Sequence, residues 1–190
     1  MRKSREEAAQ TRKRIVEAAS CEFRKNGIVA TGLNDLMKAA GLTHGGFYAH
    51  FASKEALVAS AVAVGFEQTA NRLRDGMTRR PAQPRPVAFM QAYLNEQHRD
   101  HPDSGCVAAT LGVEIGRSGD PVRQVFTEQF ESLVACATPD DGTPRERRET
   151  GLAAVALAVG ALILSRAVDD PALSKELLAA GVNASKKLAD

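Results

Sequence analysis

Between Leu33 and Phe51 the apolar residues fall three and four apart, and Gly41 interrupts them. Leu33, Leu36, Met37 and Ala40 share one face of a helix. Gly41 ends that helix, Leu42-Thr43 turns the chain, and Phe47 and Phe51 resume the apolar spacing in a second short helix over 44–50. Ala40 is small where two such helices must cross closely. Two short helices around a glycine turn have few folding options, because each must bury its apolar stripe against the other and against a third helix. That third helix lies just upstream. Residues 11–25 place Ile15, Ala18, Ala19 and Phe23 on one face, and Asn26-Gly27 stops it.

The rest of the chain reads as helix too, and the expected fold class is all-α. Thr31 is placed to cap the second helix. Ser53 caps a fourth over about 54–75, with Glu55 in its first turn and Leu57, Ala61, Val62, Phe66 and Leu73 facing inward. Three prolines in the stretch 79–86 exclude helix there. Further helices are expected over 87–99, 105–117 and 121–137, with Asp103 or Ser104 capping the second and Pro121 suiting the first turn of the third. A polar loop follows over 138–144. Two last helices run from Arg145 to Val168 and from Pro171 to Leu188. No alternating apolar pattern is long enough for a strand.

Composition narrows the class of protein. The 190 residues carry 44% hydrophobic and 25% charged side chains, which suits a chain with a real core. Three widely spaced cysteines do not make a disulfide framework, and a reducing compartment follows. Met1 to Glu7 carries charge with no apolar stretch behind it, unlike a secretory leader. The longest apolar run, 152–164, is shorter than the roughly 20 residues a bilayer span needs. Charge is unevenly spread. Through Lys54 there are ten Lys and Arg against five Asp and Glu; beyond it, fifteen against eighteen. A basic first quarter on an acidic remainder points to a polyanionic partner for the N-terminal part, with a merely solvated basic face as the alternative.

With Phe47 and Phe51 assigned to the core, the residues left outward on the third helix are Thr43, His44, Gly45, Gly46, Tyr48, Ala49 and His50. Small residues, a hydroxyl, a phenol and two imidazoles can approach a major groove and donate to phosphates and base edges. At Thr31, Ala40-Gly41-Leu42-Thr43, and the unbroken run Gly46-Phe47-Tyr48-Ala49-His50-Phe51-Ala52-Ser53-Lys54-Glu55-Ala56-Leu57, the sequence resembles the TetR family of bacterial transcriptional regulators. It departs from the family at Met37, where alanine is usual, and Gly32 weakens the start of the second helix.

The resemblance spans about residues 10–57. It implies an all-helical homodimer with a DNA-binding domain over 1–54 and an effector-binding and dimerisation domain over 55–190. The activity implied is a ligand- or redox-responsive regulator, a repressor, on a pseudo-palindromic double-stranded DNA operator in the cytoplasm, with neither enzymatic activity nor a membrane. It assigns phosphate contacts to Tyr48, His50, Lys54 and Thr31, and places Thr43, His44 and Gly45 near bases. Lys54 also opposes the dipole of its own helix, which a nearby phosphate would offset. Gly45-Gly46 leaves the third helix loosely held, so that it would order fully only on DNA.

The C-terminal part says less. Residues 151–164 are apolar on nearly all sides and rich in Ala and Gly, as in a helix buried all round. Paired with 171–188 it would form a four-helix bundle across a two-fold axis. Phe66, Tyr93, Cys106 and Phe126 are the candidates for an effector or sensing site, beside Phe89, Met90, Leu111 and Phe130. Cys106 is expected in the first turn of a helix, where the dipole favours a thiolate able to sense oxidants. His98, His101, Asp103 and Cys106 would alternatively bind a metal, and Cys106, His101 and Asp103 a catalytic set. The different-class alternative is therefore a metal-binding or enzymatic helical module with an accessory helix-turn-helix. Phosphate-loop, dinucleotide and HExxH motifs do not occur.

Overall fold

The computed structural model describes residues 5–188. The N-terminal residues Met1 to Ser4, part of the charged N-terminal stretch and of the expected 1–54 domain, and the last two residues of the expected 55–190 domain lie outside them. Among the described residues the chain is helical with no strand: α1 (Arg5–Asn26), α2 (Leu33–Ala39), a 3-10 helix (His44–Ala49), α3 (Lys54–Thr78), α4 (Arg85–Tyr93), α5 (Glu96–Asp100), a 3-10 turn (Pro102–Ser104), α6 (Val107–Ile115), α7 (Asp120–Ala137), α8 (Pro144–Ala167) and α9 (Pro171–Lys187).

The first three helical pieces close around Ile15, Phe23, Leu36, Met37, Phe47 and Phe51, all buried. The turn between α2 and the 3-10 helix is built by backbone geometry. Gly41 sits at φ +71°, where a side chain would be strained. The Leu42 N–H donates to the Met37 carbonyl at 2.8 Å and the Gly41 N–H to Lys38 at 2.9 Å, so the last carbonyls of α2 are satisfied. The Met37 side chain is fully buried. Thr31 does not cap α2. The cap position is Gly32, without a side-chain bond, and the Thr31 hydroxyl turns inward to the Gly27 carbonyl at 2.5 Å. Ser53 caps α3 as expected, accepting from Ala56 N–H.

α3 then leaves the N-terminal unit and packs chiefly on α7, α1 and α4. The helix expected over 87–99 is two, and α4 starts inside the proline stretch, with Pro86 in its first turn. The Asn95 side chain accepts from His98 N–H and starts α5 anew, which turns His98 inward. α6 begins two residues later than expected; its cap position is Cys106, not Asp103 or Ser104. α8 begins with a capping box in which Thr143 and Glu146 satisfy one another's backbone N–H.

α8 is only half covered. Ala154, Val155, Ala158, Ala161 and Leu162 are buried, while Leu152, Ile163 and Leu164 are 37%, 39% and 54% exposed. The expectation of burial on all sides fails within one chain. On length and composition α8 could also cross a membrane, with an 18-residue window of mean hydropathy 1.8. The uncharged run is shorter than the helix that contains it, because the helix continues on either side. Here it packs against α7 and α9.

Candidate nucleic-acid interface and the cleft behind it

The segment Thr43–His50 presents its polar side chains outward. Thr43, His44, Gly45, Tyr48 and Ala49 are exposed, and His50 is half-buried. Tyr48 is 66% exposed, and its ring meets Phe47 edge-on at 5.1 Å and His44 at 6.5 Å. Phe47 and Phe51 stack beneath at 5.8 Å and are core, as expected. Arg12 reaches over from α1, its guanidinium 4.5 Å from the Phe51 ring centre, while Lys13 and Arg14 are exposed beside it. The segment is 3-10 rather than α. Gly45 and Gly46 carry little intrinsic helical preference, and six residues cannot offset that with cooperative bonds.

Two residues expected at phosphates are committed elsewhere in this state. Thr31 is buried and bonded to Gly27. Lys54 Nζ donates to the carbonyls of Ile28 and Thr31, both at 2.7 Å, and lies 5.9 Å from the Phe23 ring centre. Those carbonyls, rather than a phosphate, compensate a cation placed against the α3 dipole. Lys54 thus pins the α1–α2 loop to α3 and fixes the angle at which α2 and the 3-10 helix are held.

The N-terminal unit is tied to the rest by groups that a search for apolar stripes passes over. Arg24 is buried on α1. Its Nε donates to Ser20, its Nη2 to Gln68 Oε1 at 2.7 Å, and its Nη1 to the Gly105 carbonyl at 2.9 Å. Ser20 Oγ donates to the Ala61 carbonyl, and Val29 N–H donates to Glu114 Oε2 on α6.

Gly105 leads into a buried knot. Cys106 N–H donates to His98 Nε2 at 2.9 Å, so His98 Nδ1 carries the proton and donates to the Tyr93 carbonyl at 2.7 Å. Burial holds His98 neutral, its pKa lowered to about 4. Arg166 donates to the His98 and Arg99 carbonyls. Burial pushes the Cys106 thiol up, the opposite of the expected thiolate; at the cap position its side chain faces the core. Both His98 nitrogens are engaged, and no group of three potential metal ligands exists among the described residues. The four-residue metal reading and the Cys106/His101/Asp103 set therefore lose their geometry, since His101 is exposed and Cys106 is wholly buried.

Phe66 and Tyr93 are likewise core. Phe66 meets the half-buried Phe126 edge-on, and Tyr93 stacks on Phe89. None of Phe66, Tyr93, Cys106 and Phe126 lines the main cleft. That cleft, about 550 Å³, lies between α3, α4 and α5, with Arg72, Arg79, Arg80, Gln91, Asn95 and His98 among its walls.

The family model described as bacterial regulatory proteins, tetR family, matches residues 15–61. Those residues are similar to a tetR-family N-terminal domain. The match spans α1, α2, the 3-10 helix and the start of α3. The chain is 45% identical over 58 residues to the HTH-type transcriptional regulator TtgR of Pseudomonas putida, covering 30% of this chain and 28% of that one. It is 30% identical over 126 residues to the regulator LmrA of Bacillus subtilis, covering 64% and 65%. The chain thus spans under a third of the length of the first relative and under two thirds of the second. The likeness of fold extends beyond the matched residues. A TetR-family regulator from Cytophaga hutchinsonii superposes with TM-score 0.75 over 98% of both chains at 21% identity. The reduced form of E. coli NemR superposes with TM-score 0.73 over 94% and 96% at 19% identity.

Proposed function

We propose that the protein is a transcriptional regulator that binds a pseudo-palindromic DNA operator as a homodimer. The observation that carries this is the outward row of Thr43, His44, Gly45, Tyr48 and Ala49, held over a stacked Phe47–Phe51 core inside a tetR-family domain. In this reading Thr43, His44 and Gly45 face base edges, while Tyr48 and His50 contact phosphate. Lys54 and Thr31 act first as positioning residues for the loop beneath. Lys54 retains one N–H for a phosphate. The protein acts in the cytoplasm as a repressor, and the reading assigns it no catalytic step.

The half-covered α8 supports the dimer. Leu152, Ala156, Val159 and Ile163 form one stripe at helical spacing, and Leu173, Leu177, Ala180 and Ala184 form another on α9. Two copies joined through these stripes make a four-helix bundle and set two recognition segments on one face of DNA. The stimulus is a small molecule rather than direct oxidation of Cys106, whose thiol is buried with a raised pKa. Occupancy reaches α1 through the bond from Arg24 to Gly105. An effector acts only through differential affinity for the two conformations.

Selection of fragments of the source genome by the purified full chain tests this. A recovered inverted repeat, with half-sites about one helical turn apart, supports the reading. Recovery of DNA without a shared sequence refutes it.

A further inference from the structure

The cleft between α3, α4 and α5 holds more positive charge than the protein neutralises. Arg72, Arg79 and Arg80 line it, against one carboxylate, Asp75. None of the three arginines forms an ion pair among the described residues. Arg80 donates to the Gly76 carbonyl, while the Arg72 and Arg79 side chains make no hydrogen bond among the described residues. Deeper in, Arg24 and Arg166 spend their donors on carbonyls and Gln68, all neutral. Burial disfavours the charged form of Arg24, Arg72 and Arg166, and Arg24 and Arg72 repel each other. Asp103 and Asp100 act on them only through space. Arg72 and Arg79 are exposed on the cleft wall, and three guanidiniums facing a single carboxylate make a positive surface that favours an anion taken from solution.

We propose that this cleft binds a compact organic anion bearing a carboxylate or phosphate group, gripped by Arg72 and Arg79 with Arg80 at its margin. A guanidinium presents a planar pair of donors to either group. Gln91, Asn95 and Gln97 supply neutral polar contacts, whereas Leu73 and Ala92 provide only a small apolar patch. A polar anion therefore fits better than a long-chain acid. The volume lies within the roughly 300–1,000 Å³ of small-molecule pockets. His98 and Ser104 also line the cleft, one residue or one bond from the Gly105-Cys106 pair that Arg24 and His98 hold. The anion's role as effector rests on the regulator reading; its binding does not.

The test follows thermal unfolding of the full chain at constant ionic strength, in separate titrations with citrate and inorganic pyrophosphate. Wild type is compared with Arg72→Gln, Arg79→Gln and Arg145→Gln. Arg72 is exposed and makes no hydrogen bond, so its variant is expected to fold; Arg145 is exposed at the start of α8, paired with Glu149. The expected result is a saturable rise in Tm in at least one titration, with the half-saturating concentration raised about tenfold or more in the Arg72 and Arg79 variants. Arg145→Gln should match wild type. A response to citrate alone identifies carboxylate, and to pyrophosphate alone phosphate. No saturable response, or the same response in all four proteins, overturns the proposal. In a separate titration the anion that binds should release bound DNA from wild type but not from Arg72→Gln. Binding without DNA release keeps the site and contradicts its role as effector.

Discussion

Lys54 and Tyr48 stand six residues apart and do opposite work. The Tyr48 ring is mostly in water, so Tyr48→Ala should lower the stability by less than about 1 kcal/mol, the value of one edge-on ring contact. It should nonetheless abolish specific DNA binding. Lys54→Met removes two charge-assisted bonds to the loop carbonyls and should cost about 1–2 kcal/mol in a urea titration. If both variants lose stability equally, the assignment of Lys54 as the pin is wrong. His98 predicts a pH dependence. Unfolded, its imidazole takes a proton near pH 6.5; folded, it resists until about 4. Over that window the unfolded chain holds more protons, so stability falls as the pH drops. The loss attributable to His98 between pH 7.5 and 4.5 should be about 2–3 kcal/mol, seen as a smaller acid loss in His98→Gln than in wild type.

At the level of elements, the 3-10 helix is the piece whose weakness is written into its residues. A Cβ at Gly45 would meet nothing within 4 Å, and its φ is not positive. Gly45→Ala should therefore stabilise the fold by about 0.5–1 kcal/mol. It should weaken DNA binding if the backbone there lies against the groove. Calorimetry beside a binding titration separates the two effects. The helix positions were legible in the sequence because apolar spacing reports a buried face directly. The glycine turn and the Ser53 cap were legible for the same local reasons. What spacing does not carry is which way a polar group turns. Thr31 looks like a cap and is instead spent on Gly27. Cys106 looks like a first-turn thiolate and is a buried cap residue. Thr143-x-x-Glu146 was a local signal for the α8 start that apolar spacing alone overlooked. Arg24 and His98 were invisible as partners, since their contacts come from segments far apart in sequence or across a helix break at Asn95.

For the whole molecule, the uncovered stripes of α8 and α9 and the outward row on the 3-10 helix belong to one argument. In the proposed regulator the first would bring two copies together, and the second would give each copy something to read. Ile163 is 39% exposed on that α8 stripe, so Ile163→Glu should leave the single-chain fold intact while splitting the dimer in sedimentation velocity. A wild-type protein that sediments as a monomer at micromolar concentration contradicts the bundle. The continuous core from Ile15 to Leu178 and the Arg24 and Glu114 bonds tie the N-terminal unit to the helices behind it. The most direct test of the central claim is a fluorescence-anisotropy titration. It uses a duplex from immediately upstream of the protein's own gene and a scrambled duplex, at two salt concentrations, with wild type and Tyr48→Ala. The account predicts tight, salt-sensitive binding of wild type to the native duplex alone, lost in the variant. Equal weak binding of both proteins to both duplexes would contradict it.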